Sequence, residues 1–381
     1  MIPYGRQQID EADVAAVAEV LRSDFLTQGP AVPRFEAAVA DMCGARHAVA
    51  VCNATSALHL ACLALDVGPG DIVWTSPNSF VASANCARYC GAEVDFVDID
   101  PGTLNMSVEQ LANKLARAKV NRRLPKVLIP VHFGGQPCEM DKIAALANEY
   151  GCRIIEDASH AIGARHDGIP VGACAHSDIT VFSFHPVKII TTGEGGMALA
   201  NDASLAARIA LLRSHGITRD PASMTGKSEG PWYYQQVALG YNYRMTDLQA
   251  ALGTSQLKHL AEFIDKRSAL AKRYQKRLAH LPIDIQQLAL GCASAWHLFV
   301  VRVASEQRRR IFEHLRTAGI GVNVHYIPIH LQPDYRHLGF TPGDFPEAEK
   351  YYSEAITLPL YPSLTESEQD KVVAALEEAQ T

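Results

Sequence analysis

The chain lacks the sequence features that mark several large classes of protein. None of its apolar runs approaches the roughly 18 residues of a membrane-spanning helix. Its nine cysteines include no CxxC pair, and no GxGxxG or Walker motif follows a predicted strand. Zinc, nicotinamide and ATP sites therefore lose their usual sequence support. Lys and Arg form no prominent cluster and the net charge is −6, so no basic surface for nucleic acid is predicted.

The composition is that of a folded protein with room for two domains. The chain has 381 residues, of which 48% are hydrophobic and 20% are charged. Its cysteines are scattered and odd in number, which favours buried thiols in a reduced compartment over disulfides. The first residues lack the charged-then-apolar pattern of a signal peptide. We therefore expect a soluble cytoplasmic protein.

Helix and strand patterns alternate from about residue 33 to residue 200. Short apolar runs predict strands, and the intervening segments have helical spacing. This alternation is typical of an α/β fold whose mostly parallel sheet is covered on both faces. The predicted strands are Ala48–Cys52, Ile72–Thr75, Val94–Val97, Val127–Val131, Arg153–Ile155, Ile179–Phe184 and Met197–Ala200.

The pattern changes after residue 200. Residues 215–245 are rich in Gly, Pro, Tyr and Ser and predict a long functional loop. A long helical stretch with few breakers follows, from Thr246 to about Leu281. The remainder predicts an α+β layer. We therefore expect a large domain over residues 1–250 and a smaller C-terminal domain over residues 251–381, joined by a long helix.

Lys188 is the most informative residue of the chain. An apolar run, Val181 to Phe184, ends in a proline turn, presents this lysine, and continues into the glycine-rich segment 193–196. An amine at the mouth of a buried strand is placed to condense with a carbonyl, and the aldehyde of pyridoxal phosphate (PLP) is the common protein-bound partner. Taken alone, the lysine is weak evidence, because most lysines are solvated surface charges.

Other predicted strand ends offer groups that suit the same cofactor, because ligands of open α/β sheets bind beyond the carboxyl ends of the strands. Asp157 could pair with a pyridine nitrogen, or simply cap a turn. Thr55 and Ser56 open a helix and could form a phosphate cup, which is compatible with a plain N-cap role. Ser183 could add a hydroxyl. Phe80 could stack on a ring or belong to the core.

Four blocks of sequence resemble the DegT/StrS-type sugar-nucleotide aminotransferases, which are PLP enzymes. The family has fold type I, the aspartate aminotransferase-like fold. The lysine block and the Tyr-Asn-Tyr-Arg-Met block are highly specific to this family, and together the four span nearly the whole chain. They are Asn53–Leu58, Glu156–Gly163, Phe182–Gly196 and Gly240–Ala251.

The resemblance implies roles for individual residues. Lys188 would form the Schiff base, Asp157 would contact the pyridine nitrogen, and His160 would lie near the ring hydroxyl, where relatives often have Gln. Thr55, Ser56 and Ser183 would hold the phosphate, and Phe80 would stack on the ring. Asn242 would reach the phosphate of the neighbouring subunit's cofactor, which implies a homodimer with shared active sites. Relatives that are dehydratases have His at the lysine position, so Lys188 favours transamination.

Two further segments narrow the resemblance to the 4-aminotransferases of pseudaminic acid biosynthesis: Ser183–Lys188 and Asn323–Pro333. They imply transfer of an amino group from L-glutamate to C4 of a UDP-linked 4-keto-6-deoxy-N-acetylhexosamine. We expect His185, Tyr326 and His330 to contact this substrate, with structural packing as the alternative role for Tyr326 and His330. A metal site at His325 and His330 is disfavoured, because Pro328 intervenes and no third ligand suggests itself.

Three other functions stay open. The chain could be a transaminase for another keto sugar, with the amino group placed at C3 or on a different 4-keto sugar. It could be a PLP-dependent sugar dehydratase, which the lysine argues against. It could also be a non-catalytic regulator that binds a sugar nucleotide. Such a protein should lack the pair of Lys188 and Asp157, and this chain has both.

Overall fold

The computed structural model describes residues 1–380, in which helices and strands alternate through the first half of the chain. The helices are α1 (Glu11–Leu21), α2 (Ala31–Cys43), α3 (Ala54–Ala64), α4 (Ala82–Tyr89), α5 (Val108–Val120), α6 (Met140–Tyr150), α7 (Ala203–Leu212), α8 (Asp247–Leu257), α9 (Leu260–Leu278), α10 (Ser305–Thr317), α11 (Pro333–Arg336), α12 (Pro346–Glu354) and α13 (Glu366–Gln380). Short 3-10 helices cover Phe133–Gly135, Pro221–Ser223 and Ile329–Leu331.

The strands are short, and most of the longer ones lie in the first 200 residues. They are β1 (His47–Val51), β2 (Ile72–Thr75), β3 (Glu93–Phe96), β4 (Val127–Ile129), β5 (Arg153–Asp157), β6 (Arg165–His166), β7 (Ile169–Pro170), β8 (Ile179–Ser183), β9 (Gly196–Ala200), β10 (Ile217–Thr218), β11 (Gln235–Gln236), β12 (Asp284–Ile285), β13 (Cys292–Ala293), β14 (Phe299–Arg302) and β15 (Ala355–Leu358).

The central sheet has the strand order β1-β9-β8-β5-β4-β2-β3. Strands β8, β5, β4, β2 and β3 run parallel, whereas β9 is antiparallel to both of its neighbours. The prediction of a mostly parallel sheet is therefore confirmed. Because β1 and β8 both oppose β9, the carboxyl ends of β1, β2, β5 and β8 all point to the same edge of the sheet.

Both faces of the sheet are covered by helices, as the continuous apolar runs predict. Along β8, Val181 packs into the core on the side of α3 and α7, and the next residue, Phe182, packs into the core on the side of α2 and α8. Both side chains are fully buried, and burial of a side chain of this size stabilises the fold by roughly 1.5–3 kcal/mol. This rigid sheet fixes the positions of the strand ends.

The long helical stretch from Thr246 divides into α8 and α9, with a turn at Lys258 and His259. The backbone N–H groups of these two residues bond three residues back, to Ser255 and Gln256, which tightens the end of α8 and redirects the chain. The two helices serve different cores, since α8 packs against α1 and α2 and α9 contacts α13. Because no Gly or Pro marks the turn, the sequence pattern did not reveal it. The boundary at residues 250 and 251 stays a prediction.

The C-terminal part forms a second layer of helices and strands. Strands β12, β14 and β15 make an antiparallel sheet that packs with α9, α10 and α13 around a core of its own. Within residues 1–380, no helix combines the length and the hydropathy that crossing a bilayer requires.

Asp247 joins the last part of the Tyr-Asn-Tyr-Arg-Met block to the N-terminus of α2. Helix α2 follows Pro30, which provides no side-chain cap. Asp247 replaces the missing cap: Oδ1 accepts hydrogen bonds from the N–H groups of Ala31 (2.7 Å) and Val32 (3.3 Å), and Oδ2 accepts one from Gly29 (2.7 Å). The side chain of Asp247 is only 1% exposed and both Ala31 and Val32 are buried, so water cannot readily replace Asp247 at their N–H groups.

We expect Asp247→Ala to lower the free energy of unfolding by about 3 kcal/mol, because it leaves several buried N–H donors without a partner. Urea denaturation monitored by circular dichroism measures the change. Asp202→Ala is the matched control, since Asp202 caps α7 at an exposed position and its loss should cost less. Equal losses in the two variants would contradict the structural role assigned to Asp247.

Candidate active site

A cavity of about 550 Å³ lies at the edge of the sheet where β1, β2, β5 and β8 end. The segments that follow these four strands contribute Thr55, Phe80, Asp157 and Lys188 to its wall. The remaining wall comes from Tyr4, His297 and residues 323–326 of the C-terminal layer. The structure thus brings into one cavity groups that lie as far apart in sequence as Tyr4 and Tyr326.

A larger cavity, of about 620 Å³, lies between α5 and α12 and contains none of the predicted site residues. Its lysine already has a partner: Lys114 pairs with Asp95 at 2.7 Å and lies over the rings of Trp74 and Phe345. Titratable groups with shifted pKa values and free hydroxyls occur together in the smaller cavity, so the chemistry belongs there.

Lys188 is half-buried in the turn after β8. The turn is held by backbone bonds, since the N–H of Lys188 donates to the carbonyl of His185 (2.8 Å). Burial lowers the pKa of Lys188 from 10.5 to about 8, although the charge of Asp157 opposes that change by favouring the ammonium form. A lysine with this pKa is partly a neutral amine near physiological pH, which is the form that attacks carbonyls and accepts protons.

Asp157 ends β5 and is held at both carboxylate oxygens. The backbone N–H of Ser159 donates to Oδ1 (3.1 Å), and the hydroxyl of Ser83 donates to Oδ2 (2.6 Å). The side chain is buried at the cavity wall. The turn-capping role that the sequence left open is present in the bond to Ser159, and it coexists with a carboxylate that faces the cavity.

The N-terminus of α3 opens onto the cavity and provides free N–H donors. Asn53 caps this helix by accepting from the N–H of Ser56 (2.8 Å), while the N–H groups of Ala54 and Thr55 have no acceptor within the helix. Ala54 and Thr55 both line the cavity. Partial positive charge and unpaired donors at such a helix start favour a phosphate or another anion.

Ser183 and Gly196 complete this end of the cavity. Ser183 lines the wall with its hydroxyl, and it pairs in the sheet with Gly196 of β9. A Cβ atom at Gly196 would lie 2.5 Å from the carbonyl carbon of Asn53, so only glycine lets β9 approach the start of α3 this closely. Ser56, by contrast, lies outside the wall, and its hydroxyl contacts the thiol of Cys52 at 3.3 Å.

Both ring nitrogens of His160 already have hydrogen-bond partners. Nδ1 accepts from the N–H of Gly134 (3.3 Å), and Nε2 lies 3.1 Å from the hydroxyl of Tyr326. Burial, with Lys188 and His325 nearby, lowers the pKa of His160 well below 6.5, so the ring is neutral. A neutral ring that accepts at Nδ1 carries its proton at Nε2 and donates it to Tyr326. The hydroxyl proton of Tyr326 is then free to point into the cavity.

Phe80 is 58% exposed at the cavity wall, and its ring centroid lies 6.3 Å from that of Tyr326. A phenylalanine this exposed does not serve the core. The stacking alternative that the sequence left open is therefore the one that agrees with its position.

The remaining predicted residues fall into two groups. His185 and Tyr326 line the cavity, as expected for substrate contacts. His330 and Asn242 lie elsewhere. His330 is fully buried against Phe345, and its Nε2 lies 2.9 Å from Glu349, so the expectation that it lines the substrate cavity needs correction. Asn242 is exposed, and its backbone forms an isolated antiparallel β-bridge with Ser214.

Sequence reasoning missed several residues that the fold adds to the cavity. Ser79 and Ser83 line it next to Asp157. His297 is buried 4.4 Å from the ring centroid of His160, and its Nδ1 has no hydrogen-bond partner within residues 1–380. Tyr4 packs on His325. None belongs to a recognisable motif. The serines follow the same strand as Phe80, which is the one signal that could have identified them.

Comparison with known proteins identifies relatives along nearly the whole chain. A model of the DegT/DnrJ/EryC1/StrS aminotransferase family matches residues 7–377. The spore coat polysaccharide biosynthesis protein SpsC of Bacillus subtilis is 40% identical over 382 aligned residues, which cover 98% of this chain and 96% of SpsC.

Solved structures of sugar aminotransferases superpose on the same length. The putative sugar aminotransferase Spr1654 from Streptococcus pneumoniae, in its PMP form, has a TM-score of 0.92 at 30% identity and covers 100% of this chain and 99% of its own. The same protein has also been solved in a PLP form. Helicobacter pylori PseC is described as an aminotransferase involved in the biosynthesis of pseudoaminic acid. It has a TM-score of 0.90 at 29% identity, and the match covers 100% of this chain and 99% of PseC.

We expect the amine of Lys188 to titrate with a pKa of about 8 in protein freed of bound ligands. Asp157→Asn should lower this pKa further, because it removes the negative charge that favours the ammonium form. The pH dependence of reductive methylation, read by mass spectrometry of the Lys188 peptide, measures both values. Lys142 is the internal control, since its pair with Glu139 raises its pKa. Identical titration of Lys188 and Lys142 would contradict the electrostatic description of the cavity.

Proposed function

The chain belongs to the DegT/DnrJ/EryC1/StrS aminotransferase family, and from this premise we propose that it transfers the amino group of L-glutamate to C4 of a UDP-linked 4-keto-6-deoxy-N-acetylhexosamine. It is a sugar aminotransferase with the fold of the PLP-dependent enzymes of fold type I, and its cofactor is PLP. The observation that carries the proposal is the joint presence of Lys188, with its lowered pKa, and the hydrogen-bonded carboxylate of Asp157 in one cavity.

The residues of the cavity fit the phosphate, the pyridine nitrogen, the aldehyde and one face of the ring of PLP. Thr55, Ser183 and the free N–H groups at the start of α3 suit the phosphate, and the close approach that Gly196 permits shapes this end of the cavity. Asp157 could pair with the pyridine nitrogen, Lys188 could condense with the aldehyde, and Phe80 could stack on a face of the ring. Ser56 would contribute through the backbone at the helix start, since its hydroxyl contacts Cys52.

When bound, PLP supplies an aldehyde that accepts amino groups and a ring that accepts electron density. Lys188 moves the protons. As a neutral amine, Nζ removes the proton from Cα of glutamate, and in the second half of a ping-pong cycle it delivers a proton to C4 of the keto sugar. Asp157 would hold the cofactor at its ring nitrogen and orient it, and Phe80 would cover one face of the ring.

The expectation that His160 lies near the ring hydroxyl of the cofactor stays a prediction. Both nitrogens of His160 are engaged, so it acts by donating to Tyr326 and holding that hydroxyl at the cavity wall. Tyr326 then offers its own proton to a ring oxygen or a sugar oxygen. This arrangement joins the C-terminal layer to the strand ends at the site of reaction.

Two observations support the choice of sugar. His185 and Tyr326, which belong to the two segments that resemble the pseudaminic acid enzymes, both reach the cavity. PseC, whose description names that pathway, superposes over the full length of the chain. The proposed activity is therefore that of UDP-4-amino-4,6-dideoxy-N-acetyl-β-L-altrosamine transaminase.

A transaminase for another keto sugar is the second candidate, with amination at C3 or of a different 4-keto sugar. SpsC favours it, because this protein of spore coat polysaccharide biosynthesis shares more sequence identity with the chain than PseC does. The lysine at position 188 continues to disfavour a dehydratase.

The proposal includes a homodimer with shared active sites. Asn242 is exposed and free to reach beyond its own chain, as contact with the phosphate of a neighbouring subunit's cofactor would require. A cytoplasmic location belongs to the same proposal and is supported by the nine cysteines, all of which are unpaired thiols.

We expect Lys188→Ala to lower turnover with glutamate and a UDP-4-keto-6-deoxy amino sugar by at least about a hundredfold, because the proton at Cα then has no base. Formation of 2-oxoglutarate under steady-state conditions measures the loss. Lys142→Ala, which removes an exposed lysine, should turn over at the wild-type rate. Sustained turnover by Lys188→Ala would contradict the role of Lys188.

The position of the new amino group separates the two candidate functions. With 15N-glutamate as donor, we expect the label at C4 of the product sugar in a proton–nitrogen correlation NMR spectrum. Label at C3, or amination of a 3-keto sugar nucleotide in preference to the 4-keto one, would favour the second candidate.

A further inference from the structure

We propose that Ser83, supported by Ser79, positions the carboxylate of Asp157 for contact with the pyridine nitrogen of the cofactor. The two serines are positioning residues, since they act on the cofactor through Asp157. This inference rests on PLP as the cofactor of the proposed function. It assigns a role to two cavity residues that belong to none of the motifs.

The three side chains form one hydrogen-bonded chain along the cavity wall. Ser83 Oγ lies 2.6 Å from Asp157 Oδ2, and Ser79 Oγ lies 2.7 Å from Ser83 Oγ. An ionised carboxylate can only accept, so Ser83 uses its single proton on Asp157. Ser79 must then donate to Ser83. Every proton of the chain is thereby directed toward the carboxylate.

Both serines are buried, so water does not readily replace their bonds. Ser83 is 1% exposed and Ser79 is 4% exposed. A hydroxyl that itself accepts a hydrogen bond becomes a better donor, which strengthens the bond from Ser83 to Asp157. The chain therefore holds the carboxylate of Asp157 more firmly than an isolated serine would.

Other features around Asp157 also help to hold its carboxylate in place. Ser83 lies in the first turn of α4, whose N-terminus carries partial positive charge. On the opposite side, the N–H of Ser159 holds Oδ1. With one donor on each oxygen, the carboxyl group cannot rotate freely, and its remaining lone pairs are available to a ligand in the cavity.

A purely structural role for the serines predicts a different outcome. If the hydroxyls only fill space between α4 and β5, their removal should weaken every ligand of the cavity alike. If they act through Asp157, their removal should weaken only a ligand with a ring nitrogen. The two readings separate when PLP is compared with its 1-deaza analogue, in which a C–H group replaces that nitrogen.

The experiment measures dissociation constants of both compounds for the apoprotein by fluorescence titration, without any assay of turnover. The wild-type protein should bind PLP at least about tenfold more tightly than the analogue. Only PLP has a ring nitrogen that can pair with the carboxylate of Asp157. Ser83→Ala should lose roughly tenfold in affinity for PLP and little for the analogue. Ser83→Thr, which keeps the hydroxyl, should restore the preference.

Ser79→Ala provides a second variant that leaves the bond between Ser83 and Asp157 in place. It should shift the preference in the same direction by a smaller factor. If Ser83→Ala fails to fold, as judged by circular dichroism and thermal unfolding of the apoprotein, Ser79→Ala carries the test alone.

The inference is overturned if the serine variants weaken both compounds equally, or if the wild-type protein binds both with the same affinity. The latter result would still leave the transamination of sugars standing. A wild-type protein that binds neither compound would instead contradict the proposed function itself.

Discussion

The opposition between burial of Lys188 and the charge of Asp157 determines what the cavity can do. Burial alone would favour a neutral lysine, and the carboxylate alone would favour an ammonium ion. Their balance gives an amine that can lose or gain a proton near neutral pH, as covalent and acid-base catalysis at one residue requires. The neutral histidines beside it fit this balance. His160, His297 and His325 all have lowered pKa values because they are buried, and His325 reaches about 3. They line the cavity without adding charge that would compete with Asp157 for the lysine.

The fold supplies this balance through its sheet. Parallel strands deliver Asp157 from β5 and Lys188 from β8 to the same edge, while β9, antiparallel between β8 and β1, brings Gly196 against the start of α3. The end of the cavity that holds Lys188 and the end at the start of α3 are therefore fixed by one set of backbone hydrogen bonds. The C-terminal layer closes the cavity from the other side with His297 and Tyr326. The hydrogen bond between Tyr326 and His160 ties that layer to the segment after β5, so that closure and orientation depend on the same contact.

Much of the fold and part of the site could be predicted from the sequence, for physical reasons that individual residues illustrate. The alternation of short apolar runs with helical segments indicates a parallel sheet, and the strand-end rule then identifies Asp157 and Lys188. The direction in which a loop side chain points, and the partners that it contacts, depend on tertiary contacts and not on the local sequence pattern. His330 lies four residues from Tyr326 in sequence, yet it is buried with Glu349 whereas Tyr326 reaches the cavity. Ser83 is a plain helical serine until the fold places it against Asp157. The turn between α8 and α9 lacks any breaker residue, so local propensity could not reveal it.

The role of Lys188 depends most directly on the covalent attachment of the cofactor to this one lysine. Reduction of the PLP-loaded protein with borohydride, followed by proteolysis and mass spectrometry, fixes the cofactor where it is attached and identifies the residue. The account predicts the added mass on the peptide that contains Lys188 and its loss in Lys188→Ala, while the exposed Lys142 stays unmodified. Added mass on another lysine of the wild-type protein, or no modification at all after loading with PLP, would contradict the central claim that Lys188 carries the chemistry of this site.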